Sequence, residues 1–301
     1  MIFYQRTLTM NIFKSLFGGK QETSVEKKKE DEGKNFDMYK YDGVKAARMG
    51  QHEYAIKCFK AALAIKEDLE VRDYLATALV RNNELLPAYE QLQKLAEAQP
   101  DNQAIYEQMA NVAYMMEDYV AMSQACEKAI LIDNSNSRVH YLYAKACIGQ
   151  DDYINAIAML TKAIVLKPDF ADAYLLRGQT LLKMGDRNGA RDDMETLLAD
   201  YPEQEDVLML KARVELADGK PDDAIATYGK VIEVNPFATE AFKERGQVKY
   251  DLGDMAGAKE DMQKVLEIDP DKAADITGEY SAEGVEHKVK QAYSNINPFG
   301  L

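Results

Sequence analysis

An all-α fold of seven stacked helix pairs is predicted for this 301-residue chain by its prolines, its small residues and its turn residues. Five of the eight prolines, Pro100, Pro168, Pro202, Pro236 and Pro270, keep one regular step, with the first interval twice as long as the other three. Breaks recurring at one period mark an array of like units. Asn134 stands at the missing step and Glu67 lies almost one full step before Pro100, which makes seven units. Two columns of small residues keep the same phase. One is Gly43, Ala76, Ala110, Ala144, Gly178, Ala212 and Gly246; the other is Ala55, Ala88, Met122, Ala156, Ala190, Ala224 and Ala258, small except at Met122. A turn column of Gly50, Asn83, Glu117, Asp151, Gly185, Gly219 and Gly253 lies between them. A further column is large and mostly apolar: Phe59, Leu92, Cys126, Leu160, Met194, Tyr228 and Met262.

The fifth unit shows why each repeat reads as two antiparallel helices. Over 171–184, Tyr174, Gly178, Leu181 and Leu182 recur at helical spacing. Gly185 suits the left-handed conformation that often ends a helix. Arg187 to Leu198 forms a second amphipathic helix through Ala190, Met194 and Leu197, and Pro202 prevents its continuation. Small columns let helix axes approach, and the large column fills the space opposite. One such pair cannot bury its apolar faces alone, so each unit needs neighbours.

At these columns the chain resembles the tetratricopeptide repeat family. The likeness lies in the small residue of the first helix, the alanine and large apolar residue of the second, and the closing proline. Tyr153-Ile154-Asn155-Ala156-Ile157 with Ala163 and Pro168 fits well. The resemblance covers residues 36–270 and implies a right-handed superhelical α-solenoid that binds peptides or protein partners. No Trp occupies the early aromatic position, where Tyr39, Tyr106, His140, Tyr174, Leu208 and Phe242 stand. Arg72 at that position makes the second unit the expected irregular one.

The ends leave the pattern. Residues 1–35 are read as a disordered N-terminal segment, because 18–34 are polar and lack periodicity. Within it, Ile12, Phe13, Leu16 and Phe17 share one helical face flanked by Lys14 and Lys20, the composition of an interfacial membrane foot. Met1 and Met10 are both open as the start. Residues 271–301 are read as a capping helix over 281–293, which would cover the last apolar surface of an array, followed by a tail.

Composition bounds the function. The formal net charge of −14 opposes nucleic-acid binding, which rests on Lys and Arg neutralising phosphates. No apolar run approaches the ~20 residues that cross a bilayer. Cys58, Cys126 and Cys147 have no paired spacing and read as small buried hydrophobes in a reducing, cytoplasmic setting, with the inner face of a membrane open through the N-terminal foot. His52, His140 and His287 sit in separate units without metal-ligand spacing, and no cofactor loop follows a strand. The acidic pairs Asp151-Asp152, Asp192-Asp193 and Asp222-Asp223 read as charges at turns or early in helices, where carboxylates favour the helix dipole. The expectation is a non-enzyme without metal or cofactor.

In the family, first helices line the concave surface. Projecting this onto the chain gives Asn111, Tyr114, Tyr141, Lys145, Gln179, Arg213, Gln247 and Tyr250 as the groove for a protein or peptide, with Leu175, Leu182, Met209 and Leu216 adding apolar surface. Amides can hold a peptide backbone, and an arginine fork can grip a carboxylate. Lys40 matches the first position of the family's carboxylate clamp, but Val44 and Tyr74 replace its asparagines. The reading is an adaptor with a concave groove. The alternative is an assembly scaffold tethered to a membrane by its N-terminal segment.

Overall fold

The computed structural model describes residues 24–269. The membrane foot around Ile12–Phe17, the capping helix and the tail lie outside them. Fourteen helices run through the described residues: α1 Ser24–Arg48, α2 His52–Ile65, α3 Leu69–Arg81, α4 Leu85–Ala98, α5 Gln103–Met115, α6 Tyr119–Ile132 and α7 Ser137–Gly149, then α8 Tyr153–Leu166, α9 Ala171–Lys183, α10 Arg187–Asp200, α11 Glu205–Ala217, α12 Pro221–Val234, α13 Thr239–Asp251 and α14 Met255–Ile268. From α3 onward the first helix of each repeat has 13 residues and the second has 14. They group into two compact units, α1–α5 and α6–α14. Within each unit every helix packs on the one before and the one after it, and α9 also lies against α11. This is the nearest-neighbour pattern of a repeat array.

The columns explain the packing. All seven residues of the second small column are 0% exposed, Met122 included. Every residue of the large column is buried, from Phe59 at 0% to Met194 at 8%. All seven positions of the turn column have positive φ, between 57° and 84°. Four are glycine, which takes this conformation freely, but Asn83, Glu117 and Asp151 do so against a steric penalty. Glu117→Gly is therefore expected to raise stability by about 1 kcal/mol, read as a shift in the urea midpoint.

Four of the seven second helices start on side-chain caps. Asp118, Asp152, Asp186 and Asp254 each accept a hydrogen bond from a backbone N–H in the first turn of the helix. Asp152 thus has the helix-start role read from its acidic pair.

Three expectations need correction. Residues 24–34, read as disordered, form the start of α1. The stretch is rich in Glu and Lys, which favour helix, and extending an already packed helix needs no new nucleus. The second repeat is also regular, with α3 and α4 as long as their counterparts. Arg72, at 9% exposure, is accommodated because Nε and Nη2 donate to Glu67 at 2.5–2.8 Å and Nη1 donates to Gln91. Lastly, Asp193 is not a helix-start charge. It is 2% exposed and accepts Nε and Nη2 of Arg177 at 2.9 and 2.6 Å.

Candidate functional site

The projected groove residues all lie on first helices. In the first unit, Asn111 and Tyr114 sit on α5. Tyr114 is 40% exposed, while the Asn111 amide donates to the carbonyl of Glu107 at 2.7 Å, one turn back on its own helix.

In the second unit, Lys145, Gln179, Arg213 and Gln247 occupy the same repeat position on α7, α9, α11 and α13. Their environments differ. Tyr141 and Lys145 are half-buried on α7, with the Tyr141 ring tilted against Phe170 at 5.1 Å and the Lys145 ammonium 6.0 Å from the Tyr141 centroid. Gln179 is half-exposed, and its amide has no hydrogen-bond partner among the described residues. Tyr250 is half-buried on α13. Of the apolar additions, Leu175 and Leu216 are half-buried, whereas Leu182 and Met209 are each 7% exposed and belong to the core.

Arg213 and Gln247 depart from the expected roles. The Arg213 fork, expected to grip a partner's carboxylate, holds Glu244 of the next first helix through Nε at 2.9 Å and Nη2 at 2.5 Å. Burial opposes its charge, but the Glu244 carboxylate outweighs this and raises the guanidinium pKa. The hydroxyl of Tyr228, 0% exposed, donates to the same carboxylate at 2.7 Å. Burial first, and then Glu244, push the Tyr228 phenol far up, so it remains a neutral donor. Gln247 is 6% exposed and donates to Asp251 at 2.9 Å, while its Oε1 is buried without a partner among the described residues.

Sequence reasoning missed this layer of buried polar pairs. Arg177–Asp193 and Arg245–Asp261 are equivalent pairs two repeats apart, each joining the first helix of a repeat to its own second helix. Lys249 adds a second cation to Asp261 at 2.9 Å. The only trace in the sequence is Arg and Asp at the same positions two repeats apart, and the repeat between them has Lys211 and Thr227 there.

The other reactive groups are held inside. Cys58, Cys126 and Cys147 are buried free thiols, and burial pushes Cys147 up to about 11, away from the reactive thiolate. Among the described residues no cluster of His, Cys, Asp and Glu is arranged to hold a metal, and no helix is long and apolar enough to cross a membrane.

Residues 148–214 and 209–273 match family models of the tetratricopeptide repeat. That stretch carries tetratricopeptide repeats, and the fourteen helices among the described residues, in paired order, are consistent with seven such repeats. Proteins of this family typically mediate protein–protein interactions and are generally non-catalytic. A tetratricopeptide repeat protein from Parabacteroides merdae has a similar structure, with a TM-score of 0.67 at 16% identity over 87% of this chain and 100% of that one. PilW, a widely conserved type IV pilus biogenesis factor, gives 0.60 at 16% identity over 74% of this chain and 97% of its own. At such identities the likeness shows the fold alone. In sequence, the Protein CTR9 homolog of Arabidopsis thaliana is 25% identical over 123 residues, which is 40% of this chain and 11% of that protein.

Proposed function

We propose that this protein is a non-enzymatic adaptor whose second unit docks a peptide or a partner helix on the faces of its first helices. The observation that carries the reading is the set of Tyr141, Lys145, Gln179 and Tyr250, half-exposed at recurring first-helix positions beside Leu175 and Leu216. Aromatic rings supply contact area with a polar handle, and an unpartnered amide can pair with a peptide backbone. Below this surface, Arg213–Glu244 and Arg177–Asp193 hold neighbouring helices in register, so the face is presented without reordering. That lowers the cost of binding.

The test is capture by a photo-reactive side chain placed at Gln179 in the full chain, with the cross-linked peptide identified by mass spectrometry. The expected result is one or a few defined partner segments, lost when Tyr141→Ala and Lys145→Ala are added. Unchanged capture in that variant, with helicity retained, would refute docking at this face.

A further inference from the structure

We propose that the first unit carries a separate binding site, a cavity between α1, α2 and α3 that takes a large apolar side chain of an acidic peptide segment. The cavity measures about 300 Å³, near the lower end of ligand pockets in general. Its apolar wall includes Val44, Ala47, Phe59 and Tyr74, with the two rings 5.7 Å apart. Arg48 and Arg81, the last residues of α1 and α3, also line it. So does His52, whose Nδ1 is buried without a hydrogen-bond partner among the described residues.

Charge identifies the occupant. In a chain of 51 acidic and 37 basic residues, arginines readily find carboxylates. Arg72, Arg177, Arg191, Arg213 and Arg245 each do so. Arg48 and Arg81 are exposed and hold no carboxylate among the described residues, yet both border one apolar cavity. The negative ends of their helices favour a cation at each position. That accounts for each arginine singly, but not for a shared cavity with an unpartnered imidazole nitrogen in its wall. Two open guanidinium forks beside an apolar recess match carboxylates flanking an aromatic or large aliphatic side chain.

Lys40 is not part of this site. Its ammonium lies 2.5 Å from Glu70, which also accepts the Tyr74 hydroxyl at 2.7 Å. The site is also independent of the docking face proposed for the second unit, and the experiment keeps the two apart.

Fluorescence anisotropy on the full chain would use a labelled, acetylated and amidated Glu-Glu-Phe-Glu-Glu peptide. One control has Ala at its centre and the other has Lys in place of every Glu. The acidic Phe peptide is expected to bind roughly tenfold or more tightly than either control, and to weaken by a similar factor in Arg48→Gln plus Arg81→Gln. Thermal melts should fall only slightly, since glutamine is a good helix former and an exposed cation at a helix end contributes little to stability. Tyr141→Ala plus Lys145→Ala should leave this binding unchanged. The proposal is overturned if the three peptides bind alike, if binding survives the double arginine change, or if it is lost only in the second-unit variant. It is also overturned if phenylacetate occupies the cavity and the peptide does not displace it, which would mark a small-anion site.

Discussion

Glu244→Ala is expected to lower the unfolding free energy by about 3 kcal/mol, the largest single effect among the polar residues. The carboxylate is 8% exposed and accepts from both Arg213 and Tyr228. Removing it leaves a fully buried phenol without an acceptor and a cation without its counter-charge. The Arg213 side chain is 25% exposed, so water recovers part of the loss and the effect falls near the low end for a broken buried pair. Glu244→Gln keeps an acceptor and should cost less. Arg213→Met, Tyr228→Phe and Glu244→Leu together should return close to wild-type stability, because no polar group is then stranded. Urea titration of the set checks the ordering. A loss below ~1 kcal/mol for Glu244→Ala would show that solvent already satisfies these groups.

Gly178→Leu should cost about 1–3 kcal/mol through overpacking, even after the gain in helix propensity from losing glycine. A Cβ at this position would lie 3.0 Å from Leu210 Cδ2 and 3.4 Å from Asp193 Cβ. It would therefore press on α10 of its own repeat and on α11 of the next. Leu210 is 0% exposed and Asp193 is held by Arg177, so neither side chain can swing aside. The damage should centre on α9–α11 and leave the first unit intact, because packing links neighbours only. Hydrogen exchange compares amide protection around Gly178 with protection around Gly43. Equal loss at both would show one cooperative block, and no loss at Gly178 would place it away from a helix contact.

How much was legible in the sequence follows from which properties repeat. Burial by shape does repeat: a backbone that approaches a neighbour once in every repeat leaves a small-residue column, and a left-handed turn leaves Gly, Asn or Asp everywhere except at Glu117. Gly43 illustrates the first, since a Cβ there would fall 2.5 Å from the Phe59 ring. Asp151 illustrates the second, at φ 58°. The projected docking residues were legible only as positions on first helices. Spacing does not say whether a side chain there faces solvent, a neighbouring helix or a buried carboxylate.

The sequence by itself therefore determined the fold class, the seven helix pairs, the turn positions and the small and large columns of the core. These depend on local periodicity and on contacts repeated in every unit. The tertiary structure alone decided that Arg213 holds Glu244 and that Gln247 is buried. It also decided that Asp193 answers Arg177 and that Arg48 and Arg81 share a cavity. Each of these depends on the distance between side chains on different helices, and hydrogen bonds and ion pairs change strongly over an ångström or two.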